Sequence, residues 1–107
     1  MTTHQKFEII FTRPVFQHLA AIDRKYYSLI RSTIEEQLTY EPEVETRNRK
    51  PLLEPSELGA TWELRFGQNN RFRVFYETNL DTWEVYILAI GVKVGNQLFI
   101  GTEEIES

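Results

Sequence analysis

The chain has 107 residues, 41% of them apolar and 26% charged, the mix of a soluble globular protein, and its length points to one domain over residues 1–107. It has no cysteine, which excludes a disulfide framework, a thiolate nucleophile and a cysteine-ligated zinc. Twelve Lys and Arg stand against sixteen Asp and Glu, and a net charge of −4 argues against holding free nucleic acid by bulk attraction.

The N-terminus MTTHQKFEII lacks a basic region followed by a long apolar run, so it does not read as a signal peptide, and no apolar run reaches a membrane span. A cytoplasmic protein without membrane contact is expected. Phe7 to Phe11 (FEIIF) is a short run of strand formers. Pro14 suits the first turn of a helix, with Thr12 as its cap, and Phe16, Leu19 and Ile22 follow at helical spacing. Asp23-Arg24-Lys25 reads as the bend of a helical hairpin. Tyr26, Leu29, Ile30, Ile34 and Leu38 form the apolar stripe of a second helix, which ends by Pro42. Glu43 to Leu58 carries mixed charge, two prolines and little periodicity, and reads as an extended loop with room for one helical turn.

The pattern then changes to period two. Trp62, Leu64 and Phe66 alternate with Glu63 and Arg65, Gly67-Gln68-Asn69-Asn70 makes a hairpin connection, and Arg71 to Glu77 returns. After Asn79-Leu80-Asp81-Thr82, Trp83 to Val92 is a third strand. Its VYILAI centre is apolar on both faces, which places it centrally. VGNQLFIGTEEI fits either a short strand or a turn of helix. Two helices cover only one face of so small a sheet, so the fold class is α+β with the second face partly free.

The charge is unevenly spread. Five acids and no base lie between Glu35 and Glu45, whereas Leu64 to Tyr76 holds three arginines and no acid. In RFRVFY, alternation puts Phe72, Val74 and Tyr76 on the covered face, leaving Arg71, Arg73 and Phe75 with Arg65 on the other. Like charges opposed at about 5 Å cost free energy unless something negative joins them. Glu63 and Glu77 could do so as a solvated ladder. A phosphate is the functional alternative, because the guanidinium fork matches its oxygens, and Phe75 could stack a base.

WELRFGQNNRFRVFYE, a turn, and then WEVYILAIGVKVGNQLFIG resemble the RelE/ParE superfamily of type II toxin–antitoxin toxins. The preceding strand, helical hairpin and RNRKPLLEP loop stand in the matching order. The resemblance implies a RelE/ParE-like domain, with strand and helical hairpin packed on a twisted antiparallel sheet, and a cognate antitoxin as partner. It implies one of two activities: cutting mRNA on the ribosome, as RelE-like members do, or non-enzymatic inhibition of DNA gyrase, as ParE-like members do. An inactive, partner-binding relative is the third alternative, and the leading expectation is a ribosome-dependent, metal-independent endoribonuclease.

Carried over position by position, Arg65 matches the sheet arginine on the scissile phosphate, Arg73 that of the return strand, and Lys93 the basic residue after the last strand. These are the expected catalytic residues. Arg71, Phe75, Phe99, Arg47, Arg49 and Lys50 are the expected substrate contacts, with RNRK directed to ribosomal RNA. Where RelE-like nucleases often carry a tyrosine, this chain has Phe99, which can stack a base but cannot move a proton. Lys93 in its neutral form, Glu63 or Glu77 is then left as general base. His4 and His18, the only histidines, are expected off the site. No metal or nucleotide motif is present, so neither metal nor cofactor is expected.

Overall fold

The computed structural model describes residues 5–54 and 59–105. Strand β1 (Glu8–Phe11) leads into helix α1 (Pro14–Ala20), a 3-10 turn (Arg24–Tyr26) and helix α2 (Tyr27–Leu38). Strands β2 (Arg49–Pro51), β3 (Trp62–Phe66), β4 (Phe72–Asn79), β5 (Glu84–Val94), β6 (Gln97–Ile100) and β7 (Glu103–Ile105) follow, with a 3-10 turn at Gln68–Asn70. The sheet runs β2-β3-β4-β5-β6-β7 in antiparallel order, and β1 joins β5 in parallel. The α+β class read from the sequence is the observed one.

Helices α1 and α2 pack on one face of this sheet. Val15, Ile22, Ile30, Ile34 and Leu38 meet Leu64, Phe66, Phe72, Val74, Tyr76, Val85, Ile87 and Ile90. Burying each large aliphatic side chain stabilises by about 1.5–3 kcal/mol, so this layer carries most of the hydrophobic stabilisation. Helical spacing alone misplaced two residues: Phe16 is 63% exposed and Leu29 is 43% exposed, while Val15 takes the inward position on α1. The cap also differs from expectation. The Thr12 hydroxyl donates to the Ile87 carbonyl (2.7 Å), tying the chain to β5, and Pro14 begins the helix without a side-chain cap.

The segment read as a loop contains β2, whose Arg49 pairs with Leu64. The C-terminal segment resolves as the β6–β7 hairpin. On β5 the ladder slips: Phe75 pairs with Ala89 but Tyr76 pairs with Ile87, leaving Leu88 as an extra, bulged residue. Val85 and Ile87 face the helices before the bulge, and Ile90 and Val92 do so after it. This phase change explains why VYILAI reads as apolar on both faces.

Between the end of β1 at Ile87 and the start of β6 at Gly91, that edge of β5 lacks a strand neighbour. His18 fills the gap, its Nδ1 accepting the Ile90 N–H (3.3 Å). Burial holds this imidazole below its ordinary value of about 6.5. Unfolding lets it take up a proton, so its contribution to stability is full above about pH 6.5 and is lost as pH falls toward the folded value. His18→Gln should therefore flatten the decline in unfolding free energy between about pH 7 and 5. An unchanged slope in urea melts would rule out His18 as its source.

Tyr76, wholly buried, donates its hydroxyl to the Pro42 carbonyl (2.7 Å) and stacks on Trp62. This anchors the segment after α2 to the sheet. Tyr76→Phe leaves that carbonyl unpaired and should cost about 1–2 kcal/mol, lowering Tm by about 5–10 °C. A melting curve that superimposes on wild type would show the bond to be energetically idle.

Candidate functional site

Arg65 and Arg73 lie directly opposite each other on β3 and β4, on the sheet face turned away from the helices. Glu63 sits two residues before Arg65 and so points to the same side. Its Oε1 accepts from Arg65 Nε (2.5 Å), and its Oε2 lies 3.6 Å from Arg73 Nη1. The Glu63 side chain is only 7% exposed, and Arg73, at 11%, is nearly as enclosed. Arg73 Nε also donates to the Asn70 carbonyl (3.0 Å). Desolvation pulls the Arg73 guanidinium below the usual arginine value; Glu63 opposes that shift and Arg65 adds to it. Arg65 is 41% exposed and presents the open side of the trio to solvent. Gly91, opposite Arg73, has no room for a side chain: an added Cβ would stand 2.9 Å from the Phe99 carbonyl oxygen.

Other expected contacts go elsewhere. Arg71 leaves the strand alternation because its backbone is helical (φ −69°, ψ −27°). Its guanidinium lies 5.0 Å from the Tyr26 ring and donates to the Tyr26 hydroxyl (3.2 Å), not beside Arg73. Phe75 is 8% exposed in a small cluster with Ala60 and Ala89, ringed by Leu52, Leu88, Leu98 and Ile100. Its ring is covered and offers no face to a base, so this face is less open than the alternation suggests. Arg49 is a buried strut that donates to the carbonyls of Val44 (2.9 Å) and Gln37 (2.6 Å). It is therefore committed to the chain and not to a substrate. Asn48, which sequence reading passed over, extends the ladder by accepting the Arg65 N–H (2.8 Å) and donating to the Arg65 carbonyl (2.7 Å). Arg47 is exposed, and Lys50 pairs loosely with Glu45 (3.8 Å).

Phe99 pairs with Val92 and lines a cavity of about 350 Å³ with Tyr26 and Ile22, on the helix side of the sheet. Lys93 lines a neighbouring cavity of about 460 Å³ with Gln68, Asn69 and Arg71. Neither Arg65 nor Arg73 borders either cavity. The nine expected site residues thus divide, with Arg65 and Arg73 on one face and Arg71, Lys93 and Phe99 around the far end of the sheet. His18 lies off the arginine face, as expected, whereas His4 lies outside the described residues.

No protein-family model matches the sequence, and no curated protein matches it either. A solved structure does. One chain of the toxin–antitoxin complex RelBE2 from Mycobacterium tuberculosis superposes with a TM-score of 0.68 at 22% identity, covering 87% of this chain and 98% of that one. The chain has the RelE-like fold. Within that fold Arg65, Arg73 and Glu63 occupy the helix-free face, and the helical hairpin closes the other. Among the described residues no group of His, Asp and Glu could hold a metal ion, and no helix is long and apolar enough to cross a membrane.

Proposed function

We propose that this protein is the toxin of a type II toxin–antitoxin pair and that it cuts mRNA on the ribosome. The observation that carries this reading is the direct pairing of Arg65 with Arg73, both held by the enclosed Glu63. Two guanidiniums and one carboxylate leave a net charge of +1, which matches a single phosphodiester. In the reaction the 2′-oxygen loses its proton and attacks phosphorus, and the 5′-oxygen leaves and takes up a proton. Charge grows on the non-bridging oxygens, and Arg65, the more exposed of the pair, turns its fork to them. Arg73 is fixed from two sides and keeps its positive charge in place. Glu63, the carboxylate nearest these groups, is the acceptor we assign to the 2′-proton. An acidic protein meets anionic RNA poorly in free solution, so the ribosome serves as scaffold and the cognate antitoxin masks the site.

A non-enzymatic block of a protein target such as DNA gyrase is favoured by a different observation. Phe99, at the position where a tyrosine is often found, lines a cavity on the helix side of the sheet that neither Arg65 nor Arg73 borders. Mapping of 5′ ends on a defined mRNA in a bacterial translation extract, with and without ribosomes, separates the two. New ends that require ribosomes support the nuclease. Intact mRNA from folded protein that still arrests growth moves the gyrase reading forward.

A further inference from the structure

Strand β1 has an edge that the fold leaves open. The Glu8 and Thr12 N–H groups donate to the Trp83 and Ile87 carbonyls (2.9 and 3.1 Å), so the even-numbered residues of β1 are committed to β5. Successive backbone groups of a strand point to opposite sides, so the N–H and C=O of Ile9 and Phe11 point away from β5. Among the described residues nothing pairs with them, and β5 is the one element that β1 packs along. The open stretch is bounded at both ends. The Phe7 N–H already donates to the Thr39 carbonyl (2.7 Å), and Arg13 has left the strand for a helical conformation (φ −55°, ψ −43°).

The other sheet edges carry protection against pairing. β2 is three residues long and ends in Pro51, which has no N–H, and β7 is three residues long and begins with Glu103 and Glu104. On β1, Ile9, Ile10 and Phe11 bring neither proline nor charge. Ile9 and Phe11 pack against the helix-side core, so Ile10, half-buried, lies on the helix-free face, in register with Tyr86.

We infer that this edge is an interface for a second copy of the chain, the two β1 strands running antiparallel about a two-fold axis at Ile10. Ile9 and the partner's Phe11 then exchange both backbone hydrogen bonds, and so do Phe11 and the partner's Ile9. No other register satisfies every outward group, because Phe7 is occupied by Thr39 and Arg13 is not extended. The side chains match as well. Ile9 stands opposite the partner's Phe11 on the helix side, a β-branched–aromatic pair, and Ile10 opposite the partner's Ile10 on the free face. The two sheets become one, with Arg65 and Arg73 of both copies on the same face. The interface shares no residue with that arginine pair and stands whatever the pair does.

The test exploits the absence of cysteine from the chain. At the axis the paired residues are not hydrogen-bonded to one another and their Cα atoms stand about 4.5 Å apart, within reach of a disulfide. Ile10→Cys should therefore be linked into dimers by diamide, as read on non-reducing gels. Glu8→Cys, about 13 Å from its own copy, and Ser32→Cys on α2 should stay monomeric. Wild type should sediment as a dimer, and Ile10→Lys, which opposes two ammonium groups at the axis, should raise the dimer Kd about tenfold or more with an unchanged circular dichroism spectrum. Cross-linking of Ile10→Cys no faster than that of Ser32→Cys overturns the inference, as does faster linking through Glu8→Cys. So does Ile10→Lys that is folded and sediments like wild type. A monomeric wild type whose Ile9 and Phe11 amides gain protection from hydrogen exchange only when an antitoxin is bound gives the edge to that partner and overturns the self-pairing.

Discussion

Arg73→Ala should lower ribosome-dependent mRNA cleavage about 10²–10³-fold, the usual effect of removing one preorganised donor from a developing oxyanion. Arg65→Ala should have a comparable effect, because the two face each other across one ladder position and share Glu63. Arg73 is nearly enclosed, so its loss also strains the fold. Arg73→Lys separates the two effects: it keeps the charge and loses the fork, and should keep the fold while recovering only part of the rate. Circular dichroism reports folding, and the rate of appearance of new 5′ ends reports chemistry. Folded variants that cut at the wild-type rate would remove the arginine pair from the reaction.

Glu63→Ala should be among the most destabilising single changes on the sheet. It leaves two guanidiniums opposed, one of them almost out of solvent, with nothing negative between them. Breaking a fully buried pair costs about 3–5 kcal/mol, and the part-exposure of Arg65 reduces the expected loss to about 2–3 kcal/mol. A double-mutant cycle in urea gives the decisive reading. Removing Arg73 in the Glu63→Ala background should cost less than removing it from wild type, since the unpaired charge goes with it. Additive losses would show that Glu63 and Arg73 do not support one another.

Much of this was legible in the sequence. Alternation placed Leu64, Phe66, Phe72, Val74 and Tyr76 in the core and put Arg65 and Arg73 on one face, because period two is fixed by the backbone; their direct pairing is a matter of register. The same spacing offered both Glu63 and Glu77 as the joining carboxylate, and the fold brings Glu63 to the two arginines. Period two fails where the backbone leaves the strand. Arg71 continues the odd-numbered series on paper, but one helical residue turns it to Tyr26. Phe75 keeps its face, yet that face is covered by Leu52, Leu98 and Ile100, which lie far from it in sequence. Arg49 in RNRK looked like a free base, and only tertiary packing brings the Gln37 and Val44 carbonyls to it. The parallel pairing of β1 with β5 had no local signal either.

The extra residue on β5 also bears on how this chain tolerates change in length. Leu88 separates the half of β5 that holds β1 from the half that faces Arg73 and carries Lys93. Elsewhere in a ladder a one-residue deletion turns every later side chain to the opposite face. Here it would restore strict alternation, with Val85, Ile87, Ile90 and Val92 all still toward the helices. Because Phe75 and Tyr76 are consecutive on β4, losing Leu88 closes the bulge and leaves the ladder partners on both sides unchanged. The bulge therefore holds one residue of slack: the chain can shorten there by a single residue with no side chain changing face.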